Sequence, residues 1–108
     1  MDLKIKRKVA VVTFVKTLAA EVGVWNITAN VLAPGFFMTE PTREYLEDQA
    51  REEGIPYQEA WEKLARTNPA RTIGNPKDYG ALAAFLASEH GSYITGEIFL
   101  IDGGQYAG

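Results

Sequence analysis

The chain has 108 residues, 46% of them apolar and 23% charged, which is room for one small globular domain and not the profile of a disordered segment. Its formal charge of −3 gives no general pull toward nucleic acid or anionic lipid, and no apolar run approaches the roughly 18–20 residues of a membrane span. The lack of cysteine excludes disulfides, thiolate metal sites and thiol nucleophiles, and a single histidine, His90, argues against a His-based metal site; the setting expected is cytoplasmic.

The first thirteen residues admit two readings. Val9, Val11, Val12 and Thr13 are β-branched and favour a strand by propensity. Val11, Phe14, Val15, Leu18, Ala19 and Val22 form one helical stripe ended by Gly23, which favours a helix. Next, Ile27, Ala29 and Val31 alternate with Thr28, Asn30 and Leu32 as a strand, broken at Pro34-Gly35. Thr39 or Thr42 caps a polar helix through Arg51, closed by Gly54. Tyr57, Ala60, Trp61, Leu64 and Ala65 define an amphipathic helix.

After the loop Asn68 to Gly74, Asn75 reads as an N-cap with Pro76 at the first helical position. Tyr79, Leu82, Ala83 and Leu86 read as that helix's buried stripe. Ile98 to Ile101 has the pattern of a parallel strand covered on both faces. Trp25 and Trp61 read as core or interface anchors, and Asp102 as a cap for the Gly103-Gly104 turn. Strands separated by helices predict an α/β architecture, with two or three parallel strands and about four helices.

One set of segments, in this order and spacing, resembles the C-terminal portion of the short-chain dehydrogenase/reductase family. It comprises Phe14 to Glu21, Ile27 to Asn30, Pro34 to Thr39, Arg71, Gly74, Pro76, Phe85 to Ser88, Tyr93 to Gly96 and Asp102 to Gly104. Glu53 to Ala60 resembles the substrate-side insertion of members related to 3-oxoacyl-carrier-protein reductases. If the start is a strand, KVAVVT resembles the family's first strand spliced onto its C-terminal third. The resemblance implies an incomplete Rossmann-like unit, one truncated dehydrogenase-like domain over residues 1–108. It also implies NAD or NADP as cofactor, with Pro34, Gly35, Phe37 and Thr39 lining the nicotinamide side. Glycine permits close backbone approach there, and a threonine hydroxyl can hydrogen-bond an amide or phosphate. The family usually carries an aliphatic residue where Phe37 stands. Arg71 resembles a residue that braces the loop before the last helix.

The family's chemistry uses a Ser, a Tyr and a Lys, with Tyr and Lys four apart. Four residues beyond Tyr45, Tyr57, Tyr79 and Tyr93 stand Gln49, Trp61, Ala83 and Glu97, none of them lysine. The only serines are Ser88 and Ser92. No strand here leads into closely spaced glycines that open a helix, as a pyrophosphate site requires. No catalytic or metal-binding residue is therefore assigned, and tight dinucleotide binding by this chain alone is not expected. The reading is a remnant or fragment of an NAD(P)-dependent oxidoreductase, inactive alone. The alternative is a non-enzymatic module that associates with itself or with a related dehydrogenase subunit, without nucleic-acid or membrane partners.

Overall fold

A computed structural model of the chain describes residues 3–106, with side chains from Val11 to Tyr106. The elements in chain order are α1 (Leu3–Val22), β1 (Val31–Pro34), α2 (Glu40–Glu53), α3 (Tyr57–Ala65), α4 (Pro76–Ala87) and β2 (Ile98–Ile101). Short 3₁₀ turns stand at Gly23–Trp25 and Glu89–Gly91. The two strands pair in a parallel two-stranded sheet, so the α/β expectation holds with four helices and two strands.

The two readings of the N-terminus are separated here. Residues Leu3 to Thr13 lie within α1, so the strand alternative fails for them; Met1 and Asp2 fall outside the described residues. A helix satisfies its backbone N–H and C=O groups within itself, whereas a strand needs a neighbour. The periodic stripe therefore outweighs β-branched propensity.

The described residues group into two compact units. One joins the segment up to Ala33 with Ala81–Phe99, and the other joins Pro34–Gly80 with the segment from Leu100 on.

In the first unit, Val15 and Ala19 of α1 are buried and Leu18 and Val22 half-buried, as the stripe predicts. Phe14, on the same stripe, is 68% exposed. Lys16 Nζ donates to the Gly96 carbonyl at 2.9 Å. The strand begins later than its alternation implies. Ile27 to Asn30 lie outside β1, and Ala29 and Asn30 bond to the turn before β2. Ala29 N–H donates to Thr95 Oγ1 at 3.0 Å, and Gly96 N–H to the Ala29 carbonyl at 2.7 Å. Asn30 Nδ2 donates to the Ile94 carbonyl at 2.9 Å, while its Oδ1 accepts from Glu97 N–H at 3.1 Å. The Asn30 amide thus takes partners that a regular ladder would otherwise claim, and ladder pairing starts with Val31 N–H to the Glu97 carbonyl. Trp25 is 69% exposed and forms no part of a core, a correction to half of its sequence reading.

The second unit closes around Leu46, Ala60, Leu64, Ala65 and Ile73, with Met38, Ala50, Ile55 and Trp61 packed against them. Leu46 is 1% exposed. Gly54, with φ 65°, ends α2, and Ile55 N–H returns to the Ala50 carbonyl at 3.0 Å. That helix-ending bond carries Ile55 back onto the core. The helix that reads as polar is therefore held by one deeply buried leucine and by its end. Lys63 of α3 donates to Glu53 of α2 at 2.8 Å.

Expected coverage of β2 on both faces is not met, since Leu100 is exposed. A continuous apolar run is buried only where elements cover both faces, and the sheet of the described residues has two strands. Among the described residues no helix is long and apolar enough to cross a membrane.

Candidate functional site

The second unit holds a cleft of about 290 Å³ just beyond the end of β1. It is lined by Pro34, Gly35, Phe36, Phe37, Thr39, Thr42, Pro76 and Tyr79. All four residues singled out from the sequence, Pro34, Gly35, Phe37 and Thr39, lie on it.

Gly35 continues the strand pairing, its N–H donating to the Ile101 carbonyl at 2.9 Å. A Cβ on Gly35 would fall 2.8 Å from both Cα and Cβ of Asp102. Neither of those atoms can swing aside, so glycine is required here by the chain's own packing. Close approach to a bound molecule is not needed to explain it.

From Phe36 to Met38 the chain runs beside Gly74 as a single parallel bridge. Gly74 N–H donates to the Phe36 carbonyl at 2.9 Å and Met38 N–H to the Gly74 carbonyl at 2.8 Å. The Phe37 ring covers Gly74, where a Cβ would come within 2.7 Å of ring carbons. Tyr79 meets the same ring edge-on, with centroids 5.4 Å apart and planes at 81°.

Thr39 stands at the N-cap of α2 with extended backbone, yet its hydroxyl makes no capping bond. It pairs instead with the Thr42 hydroxyl at 3.2 Å. Both threonines named as alternative caps therefore face the cleft as a hydroxyl pair. Among the described residues, no carboxylate, amine, guanidinium or imidazole lines this space. Among the described residues, two side chains have raised pKa values, and both lie elsewhere. Arg43 is raised by its hydrogen bond and charge contact with Glu40, and Lys63 is raised in the same way by Glu53. The cleft offers a hydroxyl pair among apolar walls.

Behind it, Asp102 behaves as the turn cap its position implies. Oδ1 accepts from Gly104 N–H at 2.9 Å and Oδ2 from Tyr106 N–H at 3.1 Å. The loop before α4 is braced differently from the expectation. Arg71, at φ 53°, is exposed, and its side chain makes no hydrogen bond or ion pair among the described residues. Asn68, 7% exposed, does the bracing, with Nδ2 donating to the Thr72 carbonyl at 2.8 Å. An amide reaches a nearby carbonyl with little loss of freedom, whereas the long Arg71 side chain remains in water. Asn75 caps α4 as read, its Oδ1 accepting from Lys77 N–H at 3.0 Å.

Sequence reasoning missed the cleft-lining role of Tyr79, which it assigned to a buried helical stripe. The available signal was its place one turn after Pro76. The two serines lie in the first unit, where Ser88 Oγ donates to the Phe85 carbonyl at 2.6 Å and accepts from His90 N–H at 3.2 Å. The His90 ring stacks on Phe85 at 6.2 Å. Among the described residues no group of three or more His, Cys, Asp or Glu side chains is placed to hold a metal ion.

Against known proteins, a family model described as enoyl-(acyl carrier protein) reductase matches residues 5–105. The chain is 38% identical over 96 residues to the NADPH-dependent reductase BacG of Bacillus subtilis, covering 89% of this chain and 37% of that protein. It is 41% identical over 99 residues to the 3-oxoacyl-[acyl-carrier-protein] reductase FabG of Salmonella typhimurium, covering 92% and 36%. A solved short-chain dehydrogenase family protein from Francisella tularensis superposes with a TM-score of 0.81 at 30% identity, covering 94% of this chain and 42% of that one. L-sorbose reductase from Gluconobacter frateurii, complexed with NADPH and L-sorbose, gives 0.83 at 27% identity, covering 94% and 39%. The chain thus spans well under half the length of the relatives it matches. With the Pro-Gly strand end, the capped last helix and the Asp-Gly-Gly turn all in place, this chain belongs to the short-chain dehydrogenase/reductase family.

Proposed function

We propose that this chain is the C-terminal, nicotinamide-facing portion of an NAD(P)-dependent oxidoreductase of the short-chain dehydrogenase type, and that alone it does not reduce ketones. The observation that carries the reading is the convergence of Pro34, Gly35, Phe37 and Thr39 on one neutral cleft at a strand end. The fit is to one end of the cofactor only. The cleft has the hydroxyl pair and apolar walls that a nicotinamide ring and its carboxamide need. The sequence has no glycine-rich turn opening a helix for the pyrophosphate. A bound nicotinamide would supply hydride transfer. Pro34, Gly35 and Phe37 would wall the ring, and Thr39 would offer its hydroxyl to the carboxamide. The proton transfer that accompanies ketone reduction would need a Tyr-Lys pair four apart, which Tyr45, Tyr57, Tyr79 and Tyr93 do not supply.

The test is spectrophotometric. Purified chain given NADH or NADPH and a 3-oxoacyl thioester is expected to show no steady nicotinamide-dependent absorbance change above a heat-inactivated control. Sustained turnover overturns the reading.

A second reading is favoured by the first unit. Phe14 and Trp25 are exposed and Tyr93 is 99% exposed. Exposed aromatic side chains of this kind are available for association with a second copy or with a related dehydrogenase subunit. Sedimentation velocity across a concentration range distinguishes them: a concentration-independent monomer removes the self-association reading. The cysteine-free sequence supports a cytoplasmic setting for either.

A further inference from the structure

We infer that Tyr79 is the positioning residue of the cleft, its ring holding the Phe36–Met38 segment in place through Phe37. The inference goes beyond the nicotinamide reading and rests on it only for the ligand measurement below. The segment that walls the cleft is weakly held by its backbone. Beyond one local bond from Thr39 N–H to the Phe37 carbonyl at 2.8 Å, it makes a single bridge to Gly74, with two hydrogen bonds, and belongs to no regular strand. A lone bridge of this size does not by itself set a backbone against thermal opening.

The side chain adds what the bridge lacks. The Phe37 ring covers Gly74, which has no side chain to interfere, and meets Tyr79 edge-on at 5.4 Å and 81°. That is the geometry in which the positive edge of one ring faces the negative face of another. Tyr79 is itself well placed to hold a neighbour. It sits in the first turns of α4, which begins at Pro76 and is capped by Asn75. The contact therefore ties an irregular segment to a helix with a fixed start. Both rings also line the cleft, so a displaced Tyr79 ring changes the wall and its support together.

Backbone amide exchange on the isotopically labelled full chain reads this directly, because Met38 and Gly74 each donate one bond of the bridge. In Tyr79→Leu, exchange at these two amides is expected to rise about fivefold to tenfold, while amides of the Leu46 core stay protected. Tyr79→Phe, which keeps the ring contact with Phe37, is expected to keep these two amides better protected than Tyr79→Leu does. Phe37→Leu removes the other ring and is expected to loosen the same two amides; it carries the test if Tyr79→Leu fails to fold. Titration with nicotinamide mononucleotide should show weaker binding in the leucine variants by a similar factor, with the affinity restored in Tyr79→Phe. If neither leucine variant changes exchange at Met38 and Gly74, the inference is wrong. It is equally wrong if Tyr79→Phe loosens them as much as Tyr79→Leu, since the hydroxyl and not the ring contact would then be responsible. If the parent shows no response to the mononucleotide yet the leucine variants loosen the bridge, the positioning role stands and the nicotinamide reading falls.

Discussion

The two units bury their apolar residues to very different degrees. In the unit built on Pro34–Gly80, α2 and α3 close over Leu46, Leu64 and Ile73, and an aromatic-walled cleft forms at the strand end. In the unit containing α1, Val15, Ala19 and Leu86 are buried, but Phe14, Trp25 and Tyr93 lie in water. Both were written with amphipathic patterns. The difference teaches that an apolar stripe records where a helix expects a neighbour, and that burial records whether the neighbour is there. The unit whose helices close over a core is also the one that carries the candidate site.

The contrast can be broken by substitution, and the largest effect is expected at its centre. Leu46→Ala should cost about 2–5 kcal/mol, read by urea unfolding, because it empties a deeply buried site. A cost under about 1 kcal/mol would mean that the closed core is not what holds this unit. Gly35→Ala should cost about 1–3 kcal/mol, since its methyl would meet Asp102 main-chain and Cβ atoms at 2.8 Å. Trp25→Ser, in the open unit, should leave unfolding within about 0.5 kcal/mol while lowering any concentration-dependent sedimentation. A large stability loss there would show that the exposed tryptophan is held by contacts in solution.

The smallest effect is expected from Lys63→Met. The Lys63–Glu53 pair joins two helices at the surface, where screening leaves little net gain. Its sign is still readable. The Glu53 hydrogen bond and charge raise the Lys63 pKa in the folded state, so the contribution is complete below the ordinary lysine value and is lost as pH rises through the raised one. Thermal melts of parent and variant should therefore converge at strongly alkaline pH. A gap that widens there would contradict the assignment.

Much of this architecture is legible in particular residues. Asn75-Pro76 marks the start of α4 because a side-chain acceptor and a missing N–H both suit a helix opening. Gly54 marks the end of α2 because φ 65° excludes most other residues. The candidate site is legible by likeness: Pro34, Gly35, Phe37 and Thr39 are named from the sequence and meet on one cleft. The reasons are less legible. Gly35 answers to Asp102, some 67 positions along the chain, and no local pattern carries that contact. Tyr79 reads as a stripe residue because periodicity reports a face and not what the face touches. Asn68, not Arg71, braces its loop, since composition weights the charged side chain and geometry favours the short one.

Beyond the first thirteen residues, the sequence by itself determined the element types, their order, the ends of α2 and α4 and the family, because these depend on local backbone chemistry and on spacing within a few residues. Tertiary structure alone decided that α1 absorbs its β-branched start, since only a neighbouring strand would have satisfied those backbone groups as a sheet. It also decided which apolar residues are covered, and it brought a helix-borne Tyr79 against a strand-end Phe37. Those outcomes turn on contacts between residues far apart in sequence, where burial and ring geometry, not propensity, set the free energy.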